Sequence, residues 1–268
     1  MAIPTPSLDG VTLKLERAKK HLRDLELASE GFFKTNPYMV SVNDNPEAGK
    51  RQHTVTRADP LPGCIPLIAG DVIHNARSAL DHLIRQLIIA NNRNPEDPKY
   101  SRAAFTVWRS EAAYKANRPG DAKGISQAAL DVYYGLKPYK GGNDALWRIH
   151  QLDIVDKHRL LLTIAAAHRN VIIDFANTVR KLTESGPDWM QDVPSMPLAL
   201  IPADRPVIAP GVVLFGAPLG DDANDDVKIT IQIALSEPQV VEGEPVIPTL
   251  SQLIDYVEQV VALFAPLI

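Results

Sequence analysis

Two stretches of the chain concentrate side chains that can carry protons or hold phosphate. The first is Gly70-Asp71-Val72-Ile73-His74-Asn75-Ala76-Arg77-Ser78-Ala79-Leu80-Asp81-His82-Leu83-Ile84-Arg85. At about 100° per residue, Asp71, His74, Asn75, Ser78, Asp81, His82 and Arg85 share an arc of about 120° on a helix. Val72, Ile73, Ala76, Ala79, Leu80, Leu83 and Leu87 form a broad apolar face opposite. A solvated face laced by an Asp81–Arg85 pair has this pattern, and so does a polar site turned toward another part of the chain. The second stretch is Asp156-Lys157-His158-Arg159. Consecutive helical residues point about 100° apart, so these cover the whole circumference, and the run beyond them is apolar on every side. At least one of them must face protein. A buried charge needs a partner, and the first stretch offers His74, Arg77, Asp81 and His82.

The chemistry open to such a network depends on which groups stay accessible. Metal-independent RNA cleavage needs a base for the ribose 2′-hydroxyl and a cation for the phosphate charge. His82 or His158 would be the acid/base and Arg77 or Arg159 the phosphate holder, with Asp81 beside them. His74, Asn75, Asp153, Asp156 and Lys157 would bind substrate or complete the network. The same residues could instead only hold the helices together, which makes the chain a non-catalytic binding or interaction module. A metal site ranks third. Asp71-x-x-His74 has ligand spacing and Asp153, Asp156 and His158 could supplement it, but the Glu-x-x-His pairs and inward glutamates of di-metal bundles are missing. No cofactor is expected. His150 and His168 read as local hydrogen-bonders and Cys64 as a core residue, since no base can be placed beside it.

The elements that must position these groups follow from periodicity and punctuation. Ser7 or Asp9 caps a first helix to about residue 33, with an apolar seam of Val11, Leu15, Ala18, Leu22, Leu25 and Phe32. Tyr38 to Val42 and His53 to Arg57 read as strands of a hairpin. The central helix spans about 66–92. Phe105 to Trp108 reads as a short strand, Ser110 caps a weak helix to Ala116, and Ser126 caps another to Leu136. A helix over 144–167 carries the second polar stretch. Val171 to Phe175, Val212 to Phe215 and Val227 to Leu235 read as strands, separated by a proline-rich excursion over 187–210 and an acidic turn over 220–226. Thr249 caps a last helix to about 265. Helices and strands do not alternate as in a parallel sheet, so the expected class is α+β. The expected form is one domain, 1–268, with a bundle of about four longer helices and an antiparallel sheet against one side or end.

The totals narrow the partners. A hydrophobic content of 45% is enough for a sizeable core, and a net charge of −4 argues against attachment to nucleic acid or membrane by bulk charge. One cysteine excludes an internal disulfide. No signal peptide or membrane-spanning run is visible, so a soluble cytoplasmic protein is expected.

The blocks His74-Asn75-Ala76-Arg77-Ser78-Ala79-Leu80-Asp81-His82-Leu83 and Asp156-Lys157-His158-Arg159 resemble those of a set of uncharacterised bacterial hypothetical proteins, over roughly the first 165 residues. The chain also resembles, more faintly, the HEPN helical-bundle superfamily, many of whose members are metal-independent ribonucleases. Their signature is an arginine, four to six residues, then a histidine, which Arg77 and His82 match. The resemblance implies that Arg77 holds phosphate, that His82 is the acid/base and that RNA is the partner. Where members of that family often carry Asn, Asp or His after the arginine, this chain has Ser78. In an unbroken helix Arg77 and His82 diverge by about 140°. A bend, or a homodimer partner, would have to bring them to one phosphate.

Overall fold

The computed structural model describes residues 3–117, 122–158, 164–173, 198–200, 208–218 and 227–268. Among these, six α-helices and two small antiparallel sheets give the α+β class that the order of elements implies. The chain forms two compact units. One comprises Met1–Ala28, Gly63–Thr163 and Glu237–Ile268, and the other Ser29–Pro62 and Ile164–Ser236.

The first unit is helical. Helix α1 spans Asp9–Lys34, and the Ser7 hydroxyl accepts a bond from the Asp9 N–H at 3.0 Å, tightening the turn that leads into it. Val11, Leu15, Ala18 and Leu25 of its seam are buried. Helix α2, Cys64–Ala90, runs without interruption and buries its whole expected apolar face. Helices α3, Glu111–Ala116, and α4, Gln127–Gly135, start on Ser110 and Ser126, whose side chains accept the third N–H of each helix. Helix α5 spans Asp144–His158, and helix α6 spans Val246–Phe264. Both lie against α2. The start of α5 is fixed by Asn143. Its Oδ1 accepts from the Leu146 N–H at 3.1 Å, while its Nδ2 donates to the Tyr256 hydroxyl of α6 at 2.6 Å. One side chain therefore both caps a helix and ties it to its neighbour.

The second unit is built on strands. Strands β1, Tyr38–Asn45, and β2, Lys50–Ala58, form the expected hairpin, longer at both sides of the turn than the β-prone runs alone. Strand β3 is Ile164–Ile173, β4 is Leu198–Leu200, β5 is Val213–Pro218 and β6 is Val227–Glu237. β5 adds to β2, and β3 lies between β4 and β6. Val55, Ile208 and Leu214 form a small core against Tyr38, Val212 and Ile231.

Several expectations need correction. Of the helix expected over 144–167, Asp144–His158 is helical and Ile164–Ile173 is strand, so β3 begins well ahead of the expected Val171. A run that is apolar on every side fits a buried strand as well as a buried helix, and pairing with the cleanly alternating β6 decides it. Phe105–Trp108 is not a strand. Only a single bridge joins Trp108 to Tyr139. The last helix begins at Val246 after Pro245, so Thr249 lies inside it, buried, with its hydroxyl donating to Glu244 at 3.4 Å. Proline supplies the fixed backbone that starts the helix, and no side-chain cap is used. Most of the proline-rich stretch and the acidic turn lie outside the described residues.

Replacing Asn143 by Ala removes the α5 cap and the bond to Tyr256 together. Chemical denaturation should show a loss of about 1–2 kcal/mol. Asn143→Asp should keep the cap and recover part of it.

Candidate functional site

Helices α2 and α5 run antiparallel, and three contacts at successive turns define their register. Arg77 meets His150, His74 meets Asp153, and Gly70 meets Asp156. The first two are polar bonds between side chains. At the third, the Asp156 carboxylate lies where a side chain on residue 70 would be. Only glycine fits there as the carboxylate now stands, and the absence of a side chain brings the two helices close. A glycine inside a helical pattern is the signal for such an approach.

Arg77 is buried, at 6% exposure. One terminal nitrogen donates to Asp81 Oδ1 at 2.8 Å, the other to the Phe105 carbonyl at 2.7 Å, and Nε to His150 Nδ1 at 3.4 Å. The same Asp81 oxygen accepts from the Phe105 N–H at 2.9 Å. The guanidinium thus staples α2 to α5 and to the segment after it. The expected Asp81–Arg85 pair does not form. Asp81 turns back one turn to Arg77, and Arg85 pairs with Glu96 instead. Burial, and then the neighbouring Arg77, push the His150 imidazole down to about 4. This agrees with its bonding, since Nδ1 can accept from Arg77 only when unprotonated. His150 is therefore a partner across the helix interface rather than a local one.

A second, more open group lies one turn along. His74, with its side chain 45% exposed, donates from Nδ1 to Asp153 Oδ1 at 3.1 Å. Asp153 is 3% exposed, and its other oxygen accepts from Lys157 Nζ at 2.5 Å. On the far side of the ring, His74 Nε2 faces the Ser78 hydroxyl at 3.5 Å. Asn75 is buried. It donates to the Asp71 carbonyl at 2.8 Å and accepts from Lys14 of α1 at 3.4 Å. Burial, then the charge of Asp153, hold the Asp156 carboxyl above its usual range. Leu67, Asp71, His74, Ser78, His82 and Arg85 form a stripe on α2 that stays at least partly open. Lys14 reaches it from α1, and Asp153 with Lys157 from α5.

Of the predicted residues, the structure thus brings together His74, Asp153 and Lys157, with Asp156 next to them, and separately Arg77 with Asp81. His82 lies half-exposed toward α1, its Nδ1 3.8 Å from where a Cβ on Gly10 would be, and is not part of either group among the described residues. The helix is uninterrupted between Arg77 and His82. Arg159 and the side chain of His158 lie outside the described residues. Among those described, no three His, Cys, Asp or Glu side chains converge as a metal-ligand set. No described helix is long and apolar enough to cross a membrane. Cys64 is exposed at the start of α2 rather than in the core. Sequence reasoning missed Lys14, the Phe105 backbone and the role of His150. None of these carries a local signal, because each is placed by tertiary packing. Protein-family models, curated proteins and solved structures yield no match to the chain.

Two stability measurements check this division. Arg77→Met keeps the volume but takes the guanidinium from Asp81 and from the Phe105 carbonyl. It should cost roughly 2–4 kcal/mol, while His82→Ala should stay within about 0.5 kcal/mol. The pH dependence has a defined sign. The folded His150 binds its proton more weakly than the unfolded residue, so its contribution is complete above the ordinary value of 6.5 and is lost as pH falls toward about 4. Asp156 works the other way, its contribution present at low pH and lost as pH rises through its raised value. The denaturation midpoint of His150→Gln should therefore fall less than that of the parent between pH 6.5 and 4.

Proposed function

We propose that the chain is a metal-independent RNA-cleaving domain of HEPN-like character whose acid/base group is His74 rather than His82. The observation that carries this reading is the chain from His74 through Asp153 to Lys157, an accessible imidazole backed by a buried carboxylate that also holds an ammonium. With its Nδ1 proton on Asp153, His74 presents the Nε2 lone pair, which now faces the Ser78 hydroxyl at 3.5 Å, to take the proton of a ribose 2′-hydroxyl. The same carboxylate stabilises the imidazolium that forms. Lys157, half-exposed on the other oxygen of Asp153, supplies the cation for the phosphate. Arg77 is too enclosed for that role and serves as the scaffold. RNA is the partner in this reading, and no second copy of the chain is needed.

The burial of Arg77 favours a second reading, a non-catalytic interaction module in which both polar groups only hold the helices.

The test is incubation of purified protein with single-stranded RNA in the presence of a chelator. Cleavage should leave 2′,3′-cyclic phosphate ends or their hydrolysis product. His74→Ala should lower the rate by about 100-fold or more while circular dichroism shows an intact fold. Lys157→Ala should also slow it, and His82→Ala should have little effect. Undiminished cleavage by folded His74→Ala protein would remove the assignment. If the parent protein cuts no RNA, the interaction-module reading takes its place.

A further inference from the structure

The same imidazole has a second neighbour that RNA cleavage does not use. Ser78 Oγ, His74 Nε2, His74 Nδ1 and Asp153 Oδ1 form one continuous line, with contacts of 3.5 Å and 3.1 Å. The roles match those of a hydroxyl nucleophile, a base and a buried carboxylate that orients the base. The hydroxyl and the ring are both partly open to solvent, and the carboxylate is not.

We propose that Ser78 is a nucleophilic serine and that the stripe hydrolyses carboxylic esters of aliphatic acids. Ser78 Oγ bonds to the carbonyl carbon while its proton passes to His74 Nε2. The C–O bond to the alcohol then breaks, and that oxygen takes the proton from Nε2. In the second half, water bonds to the acyl carbon and gives its proton to Nε2. The bond to Ser78 breaks and Oγ recovers a proton, releasing the acid. Asp153 is a positioning residue that acts through the His74 ring. Lys14 from α1, bonded to Asn75, and Lys157 from α5, bonded to Asp153, add positive charge beside the stripe.

The substrate class follows from what lies beside these groups. Leu67 is 57% exposed and stands eleven residues before Ser78, which puts it within about 20° of the same direction and about 16 Å along the helix. Ile154, also exposed, follows Asp153 directly on α5. A long-chain acyl group laid along α2 from Ser78, past His74 and Asp71, would reach Leu67 and cover its apolar side chain, which now faces water. This proposal shares the base with the RNA reading but does not rest on it, since the nucleophile is the protein's own.

The experiment uses the full chain with a fluorophosphonate and with p-nitrophenyl palmitate and acetate. The expected result is one phosphonyl adduct, located on Ser78 by peptide mass spectrometry, with fluoride released. The adduct should be absent in Ser78→Ala and at least about 100-fold slower to form in His74→Ala. Asp153→Asn should slow labelling in a protein that still folds, and Asp153→Glu should recover part of the rate. Palmitate should be cleaved faster than acetate, and Leu67→Ser should remove that preference. Absence of an adduct on the folded parent protein, or labelling that persists in folded His74→Ala, overturns the proposal. Neither result bears on RNA cleavage, which is read from different products.

Discussion

One buried guanidinium sets the geometry of the helical unit. Arg77 has five N–H donors in a rigid fork and no acceptor, so enclosing it requires oxygen or nitrogen acceptors on several sides. Asp81 supplies one from the same helix, the Phe105 carbonyl one from the following segment, and His150 one from α5. Truncating such a group leaves buried partners unpaired, whereas the intact set only balances the cost of taking the charge out of water. The pattern therefore contributes specificity more than net stability. It admits only one register between α2 and α5.

That register explains the rest of the site. In antiparallel helices a contact at one turn fixes the contacts at the turns on either side. Pairing Arg77 with His150 puts Asp153 opposite His74, and the next turn puts Asp156 over Gly70. The two aspartates then differ in kind. Asp153 has a hydrogen bond on each oxygen, from His74 and from Lys157. Asp156 is held against a helix backbone with Asp153 and Asp71 near it, and its carboxyl is shifted upward. Two carboxylates three residues apart thus do different work, one orienting an imidazole and one filling the space of an absent side chain.

Much of this was legible in the residues, within definable bounds. Every apolar position expected on the buried face of α2 is buried, because period 3.6 over more than seven turns leaves no alternative phase. The argument that α5 must present charge to protein also identified the right helix pair. It pointed too far along the chain. Asp156 faces α2, but the bonds to α2 come from Asp153 and His150, about one and two turns earlier. Periodicity locates a face and does not locate a level, since levels are set by which side chains reach across. For the same reason Asp81 was paired with Arg85 on spacing alone, when Arg77 at the same spacing on the other side is the partner. The strand that follows α5 escaped because a segment apolar on all sides carries no period at all.

The split between Arg77 and His82 shows why a spacing motif and a site are different things. Five residues along an unbroken helix turn a side chain through about 500°, which leaves the two directions some 140° apart. Arg77 consequently enters the interface with α5, while His82 turns toward α1. His74 and Ser78, four residues apart, are separated by only about 40° and meet on the open stripe. Asp153 reaches that stripe from α5 because the Arg77 staple fixes where α5 lies. The contacts that enclose the cation are thus the ones that hold the exposed imidazole in place.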